Sequence, residues 1–197
     1  MKLLLLLPVL LLGGVLAAGL LFVIGAGPAP EVPPELPPAV IDRSKPLPDA
    51  ATMEKLAATD PLAFLENCVR RYEQEVKGYS ATLAKHERIG GTLYPPEVLE
   101  VRFREQPFSV WLHWLKGERR AKKALYVAGA NDNKIIVLPA GLAGTLLFGK
   151  TIRLDVNSAT ARASGRYTLD QFGIQKGTLR TLAGWQAAQK HGALHVE

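Results

Sequence analysis

The hydrophobic pattern of the chain changes period at Gly78, and this change constrains the fold more than any other feature of the sequence. Before Gly78, apolar residues recur at the spacing of one helix face, at Leu62, Leu65, Val69, Tyr72 and Val76. After it, apolar and polar residues alternate in short segments separated by turn residues. Alternating segments this close together leave no room for the crossover helices of a parallel sheet, so they predict antiparallel strands.

The ends of the predicted helices follow from capping residues. Thr52 is expected to cap a short helix that ends near Ala58. Asp60 is a good N-cap for the next helix, and Pro61 suits its first position because the missing N–H has no partner there. Gly78 is expected to stop this helix.

The alternating segments predict a meander that follows the helix. Strands are expected over residues 79–89, 98–106, 108–115, 123–127, 135–138 and 151–156, and a last helix over residues 179–190. The fold class is therefore α+β: a helix followed by an antiparallel β meander. We expect a curved sheet or incomplete barrel that wraps its apolar face around a helix.

Four segments within residues 64–178 resemble an exported bacterial family known as domain of unknown function 1571. They are Tyr79–Arg88 (YSATLAKHER), Gln106–Leu115 (QPFSVWLHWL), Ala124–Pro139 (ALYVAGANDNKIIVLP) and Arg166–Thr178 (RYTLDQFGIQKGT). More distantly, the helix and meander resemble the LolA/LolB lipoprotein-carrier fold, an incomplete barrel with a helical lid over an apolar cavity. The resemblance implies this fold and a hydrophobic ligand as one option, but no known activity. Such domains usually continue with further strands, so a domain truncated at the C-terminus is one interpretation.

The first residues predict export. Residues 3–30 carry no charge, and Leu3–Gly27 is long and apolar enough to span a bilayer. Residues 1–27 are therefore either a cleaved signal peptide or an N-terminal membrane anchor. Because Lys2 favours the cytoplasmic side, the rest of the chain is expected to be periplasmic or otherwise extracytoplasmic, and the anchor would lie in the inner membrane.

Residues 28–48 are rich in proline and predict a spacer. An extended polyproline-type backbone of this length spans roughly 65 Å, at about 3.1 Å per residue. A proline-rich ligand for a partner domain is the alternative, since Pro30–Pro33 fits the PxxP pattern. The folded domain is then expected over residues 49–197.

Positive charge is concentrated in the domain. The chain has a net charge of +6, and residues 61–197 hold 20 basic against 12 acidic side chains. Anionic lipid or an acidic envelope polymer is the expected partner, and nucleic acid is not expected outside the cytoplasm. Five cations are predicted to project from one hairpin tip as an anionic-surface contact, although a solvated turn is the alternative: Lys116, Arg119, Arg120, Lys122 and Lys123.

Residues 144–151 match the phosphate-binding P-loop pattern G-x-x-x-x-G-K-[ST]. A P-loop follows a strand and needs a helix that begins at its lysine. Residues 135–138 predict the strand, but the alternation of residues 152–156 predicts a second strand where the helix should begin. Nucleotide binding is therefore the minor alternative, and an apolar loop between strands is the main interpretation.

Other chemistry has little support in the sequence. The single cysteine, Cys68, excludes an internal disulfide and a cysteine-rich zinc site, and it lies on an apolar helix face. His191 and His195 are four residues apart, but Gly192 weakens a helix between them. No carboxylate pair stands out for acid–base catalysis. We expect no enzymatic activity, no cofactor and no metal.

Two functions remain open. In the first, the protein binds a lipid, a lipoprotein or another apolar ligand on the concave side of its sheet, lined by Leu99, Val101, Phe103, Val110, Leu112 and Trp114. In the second, it is a structural or protein-interaction module of the cell envelope with no small ligand.

Overall fold

A computed structural model describes residues 36–194. The helices are α1 (Ala50–Thr59), α2 (Pro61–Glu75), α3 (Gly141–Leu146), α4 (Ala159–Arg162) and α5 (Ile174–Lys190). The strands are β1 (Gly78–Lys85), β2 (Arg88–Ile89), β3 (Thr92–Leu93), β4 (Glu97–Arg104), β5 (Ser109–Lys116), β6 (Ala121–Val127), β7 (Lys134–Pro139) and β8 (Ile152–Asp155). Short 3-10 turns lie at Asn131–Asn133 and Leu169–Gln171.

Six of the strands form one antiparallel sheet. Their order is β1-β4-β5-β6-β7-β8, and the sheet is open, with β1 and β8 at its edges. The short strands β2 and β3 pair with each other as a separate ribbon. The predicted α+β class, with helices and an antiparallel curved sheet, is confirmed.

The register of the sheet collects its apolar residues on one side, which we call the inner face. Leu83, Leu99 and Trp114 lie side by side on β1, β4 and β5. Ala81, Val101 and Leu112 form the next row in the same way. The inner face continues onto β6, β7 and β8 and forms the hydrophobic core of the domain.

One stretch of chain supplies most of the cover over the inner face. Residues 156–173, which we call the cover segment, pack Val156, Ala161, Leu169 and Phe172 against the sheet. The short helix α4 lies within this segment and contacts β8.

The two long helices pack against each other. Val69 on α2 and Leu182 and Ala183 on α5 are buried where they meet. The pair is tied to the edge of the sheet by two hydrogen bonds. The hydroxyl of Tyr72 donates to Glu105 Oε1 at 2.8 Å, and the hydroxyl of Tyr79 accepts the backbone N–H of Ile174 at 3.2 Å.

Helix α5 begins five residues before its predicted start at residue 179. The residue before it, Gly173, has φ +123°, a conformation that favours glycine. A Cβ at Gly173 would lie 3.1 Å from the Phe103 ring. The Tyr79 hydroxyl accepts the first N–H of the helix, and a side-chain partner this distant in sequence leaves no local signal.

Helix α2 confirms the predicted start and corrects the predicted end. The Asp60 carboxylate accepts from Ala63 N, and Pro61 is the first helical residue. The helix ends at Glu75 and not at Gly78, which is the first residue of β1. Likewise α1 begins before Thr52, since the Asp49 carboxylate caps it by accepting from the Thr52 N–H.

The strand predicted over residues 79–89 is divided in two. β1 ends at Lys85, and Arg88–Ile89 folds back on Thr92–Leu93 across Gly90 and Gly91, both of which have positive φ. The glycine turn was predicted, but the break at His86 has no turn residue to mark it.

Residues 36–48 of the predicted spacer lie along α2 and α5. Arg43 forms a bidentate pair with Glu73, with N–O distances of 2.9 and 2.8 Å. The backbone N–H and carbonyl of Val40 both bond to the Gln186 side chain. Residues 36–48 therefore pack on the helices, a tertiary contact that proline content does not reveal, and the spacer over residues 28–48 stays a prediction.

No helix within residues 36–194 is long and apolar enough to cross a membrane. The predicted signal peptide or anchor at residues 1–27 and the first part of the spacer lie outside the described residues.

Two glycines provide a matched test of the fold. A Cβ at Gly78 would lie 2.6 Å from the Phe103 carbonyl oxygen, whereas a Cβ at Gly177, inside α5, meets nothing within 4 Å. We expect Gly78→Ala to lower the free energy of unfolding by about 1–3 kcal/mol, because the β1–β4 pair must shift. We expect Gly177→Ala to raise it by about 0.5–1 kcal/mol. Urea unfolding followed by circular dichroism measures both, and equal effects would contradict the close pairing at Gly78.

Candidate functional site

The inner face of the sheet and the cover segment enclose a cavity of about 540 Å³. Its floor is apolar and spans all six strands of the sheet. The floor side chains are Tyr79, Ala81, Leu83, Leu99, Val101, Leu112, Trp114, Ala121, Ala124, Ile135, Val137, Ile152 and Leu154. Its roof comes from the cover segment and the first turns of α5.

The structure brings four of the six predicted ligand-binding residues to this cavity. Leu99, Val101, Leu112 and Trp114 line it. Phe103 lies on the same face but does not line the cavity, because it stacks on the Tyr79 ring with centroids 4.8 Å apart and also contacts two other aromatic rings.

Val110 is the other predicted residue outside the cavity. It is fully buried in the core next to Tyr126, its partner on β6. Sequence reasoning also missed the lining residues of β1, β6, β7 and β8. Their alternation and the meander order were predicted, but the extent of the cavity across the whole sheet was not.

One end of the cavity is charged, and a buried carboxylate organises it. This charged end lies where β1, β5 and β7 finish and β4, β6 and β8 begin. Glu97 is only 5% exposed. Its oxygens lie 2.8 Å from Lys85 Nζ and 3.3 Å from Arg119 Nε, and one accepts from Trp114 Nε1 at 3.1 Å. Burial this deep requires such partners, so Glu97 fixes three side chains that line the cavity.

The five predicted surface cations are divided between two environments. Lys116, Lys122 and Lys123 are exposed, as expected for a hairpin tip. Arg119 and Arg120 are half-buried and line the cavity instead. Arg119 turns inward because Glu97 attracts it and because its guanidinium stacks on the Tyr94 ring at 3.9 Å. Three of the five cations are therefore exposed at the hairpin, and the contact of the five with an anionic surface stays a prediction.

Positive charge predominates at the charged end. Lys85, Arg119 and Arg120 line it together with two carboxylates, Glu87 and Glu97. Lys85 also pairs with Glu87 at 3.1 Å. The charged end thus places three cations and two carboxylates beside a large apolar floor, a combination that suits an amphipathic molecule with a polar group.

A fourth cation, Arg180, lines the cavity from α5. Its guanidinium lies 4.0 Å from the centre of the Tyr167 ring and donates to the Gln171 carbonyl at 3.1 Å. These contacts hold the end of the cover segment against α5.

Burial raises the pKa of several titratable groups near the helices, including the Tyr72 hydroxyl. It raises the pKa of the Tyr79 hydroxyl, so this lining group stays neutral, and its oxygen accepts the Ile174 N–H. Burial also raises the pKa of the Cys68 thiol, which favours the unreactive form.

The motif at residues 144–151 lacks the geometry of a P-loop. The strand β7 precedes it, as the pattern requires. Helix α3 ends at Leu146, before Lys150, and β8 follows at Ile152. The predicted strand after the motif is thus confirmed, and no helix N-terminus faces a phosphate at Lys150.

The histidine pair does not form a site in the described chain. His191 is the C-cap of α5, and His195 lies outside the described residues. Within residues 36–194, no group of three histidine, cysteine or acidic side chains lies close enough to hold a metal ion.

Comparison with known proteins gives one match. The sequence model of a family described as a protein of unknown function, DUF1571, matches residues 76–197. Because this match covers more than half of the chain, the protein belongs to that family, and the predicted family is confirmed. No curated protein and no solved structure matches the chain. The distant resemblance to the LolA/LolB fold therefore stays a prediction.

Removing the charge of Glu97 tests its organising role. We expect Glu97→Gln to lower the free energy of unfolding by about 3 kcal/mol, because Lys85 and Arg119 would lose their shared buried carboxylate. Glu100→Gln is the control, since Glu100 pairs with Arg102 and His113 on the other face of the sheet, is far more exposed than Glu97, and should change little. Urea unfolding at neutral pH compares them. Similar losses for both variants would contradict the role of Glu97.

Proposed function

We propose that this DUF1571 protein binds an amphipathic ligand in its cavity, with the apolar body on the sheet and an acidic group at the charged end, without transforming it. The observation that carries this proposal is the combination of a 540 Å³ apolar cavity with a fixed cluster of cations at one end. Ligand pockets of this kind usually measure about 300–1,000 Å³.

The apolar floor supplies the affinity in this proposal. Each methylene group moved from water onto such a surface contributes about 0.8 kcal/mol. Leu99 and Val101 line the cavity and are each only 1% exposed, so neighbouring side chains pack closely around them. A long acyl chain fits these properties better than a polar metabolite does.

The charged end supplies the orientation. Lys85 and Arg119 are held in place by Glu97, and Arg120 lines the same end. These cations would attract a carboxylate or phosphate of the ligand to this end of the cavity. Hydrogen bonds to charged groups contribute about 1.5–3 kcal/mol, enough to select an acid over an alcohol.

The place of action is part of the same proposal. The uncharged segment Leu3–Gly27 supports export and attachment to a membrane, with the domain outside the cytoplasm. A LolA-like carrier of lipids or lipoproteins is the finer version of this function, supported by the open antiparallel sheet and its cover segment. An envelope interaction module with no small ligand is the competing function.

A pair of alanines on β1 tests the cavity. Ala81 lines it, whereas Ala84 points to the other face and does not. We expect Ala81→Trp to weaken the binding of a fluorescent long-chain fatty acid at least about tenfold, because the indole would fill the cavity. We expect Ala84→Trp to leave this affinity unchanged. Fluorescence titration measures both, and native mass spectrometry of the wild-type protein should show a co-purifying acidic lipid.

The charged end needs a separate comparison. We expect Arg120→Gln to weaken the binding of the fatty acid about tenfold and to leave the affinity for the corresponding long-chain alcohol unchanged. An equal loss of affinity for the acid and for the alcohol would contradict the proposal that the charged end binds an acidic group. A ligand-free mass together with no binding of either probe would favour the interaction module.

A further inference from the structure

The loop between β7 and β8 exposes three large apolar side chains. Phe148 is 91% exposed, Leu142 63% and Leu146 53%. We call residues 141–149 the apolar loop. Scattered single apolar residues are normal on a surface, but three within seven positions of one loop form a patch.

The construction of helix α3 explains why these leucines face outward. A Cβ at Gly144 would lie 2.5 Å from the Pro139 carbonyl oxygen, so the helix sits directly against the end of β7 on its glycine side. Leu142 and Leu146 are one helical turn apart and share the opposite side. The domain therefore uses its small residues for packing and leaves its large ones in solvent.

Phe148 has an unfavourable backbone conformation as well as an exposed ring. Its φ is +50°, in the left-handed region that bulky residues rarely adopt. The ring gains no burial in return, so folding stability does not account for a phenylalanine here. Backbone strain at an exposed apolar residue indicates that the side chain contacts another molecule and does not serve the folding of the domain.

The apolar loop lies at the same end of the sheet as several exposed lysines. The Ala140 N–H donates to the Arg120 carbonyl at 3.0 Å, which places the loop beside the β5–β6 hairpin. Four exposed lysines lie on the hairpin and at the end of the loop, with Glu118 as the acidic residue among them: Lys116, Lys122, Lys123 and Lys150.

We propose that the apolar loop and these four lysines form a docking surface for an anionic lipid bilayer. Leu142, Leu146 and Phe148 enter the interface between headgroups and acyl chains, where aromatic and aliphatic side chains are stabilised. The lysines contact anionic headgroups, each adding affinity of the order of fivefold. A bilayer is favoured over a protein partner because large exposed apolar side chains and exposed lysines occur together at this end of the sheet, which are the two features that bind an anionic membrane surface. This proposal does not depend on a ligand in the cavity.

A fluorescent label tests the docking in the full chain. The single cysteine is removed by Cys68→Ala, and Phe148→Cys is labelled with an environment-sensitive fluorophore. The control carries the label at Lys134→Cys, an exposed position at the opposite end of β7. Both variants keep the N-terminal apolar segment, so attachment through that segment affects them equally.

We expect vesicles of phosphatidylcholine and phosphatidylglycerol to raise the emission of the Phe148 label severalfold and to shift it to shorter wavelength. The Lys134 label should not change. Pure phosphatidylcholine vesicles or high salt should weaken the response, because headgroup attraction is screened. Lys122→Gln with Lys123→Gln should require about 25-fold more anionic lipid for the same signal.

Three results would overturn the proposal. The first is an unchanged Phe148 label at saturating anionic lipid. The second is an equal change at both labels, which would indicate general adsorption. The third is an equal response to neutral and anionic vesicles. Urea unfolding of each labelled variant establishes that the domain is folded before these comparisons are made.

Discussion

A sheet with one apolar face must bury that face, and the way this sheet does so determines the rest of the structure. The long helices α2 and α5 do not serve as its main cover, because Val69 and Leu182 direct their apolar sides toward each other. The task falls to the cover segment, which packs four moderately sized side chains over a floor six strands wide. So thin a cover leaves space above the floor, and the cavity is the direct result.

Glu97 makes one end of the cavity chemically different from the rest. A carboxylate this deeply buried needs cations beside it, and it draws Lys85 and Arg119 to one end of the cavity. The same end of the sheet carries the hairpin lysines and the apolar loop. Features with separate sequence origins thus meet at one end because antiparallel strands bring alternate connections to the same side.

Part of the fold and of the cavity could be predicted from the sequence. The alternation of Leu99, Val101 and Phe103 predicted their shared face, and Asp60 with Pro61 predicted the start of α2. The division of that face into cavity floor and solid core was not predictable, since it depends on which aromatic rings from distant segments reach Phe103. The inward turn of Arg119 had no signal either, because its partner Glu97 lies 22 residues away. The local sequence pattern specifies the helices and strands and the apolar face of each. Contacts between side chains far apart in the sequence determine which residues line the cavity.

The pairing of Arg43 with Glu73 has a mechanical consequence. Residues 36–48 are fastened to α2 and α5, and the cavity lies in the sheet beyond them. A pulling force applied to the chain ahead of residue 36 is therefore resisted first by these surface contacts and by the helix pair. Residues 36–48 would separate from the helices before any load reached β1, so the shape of the cavity is insulated from tension on the N-terminal side.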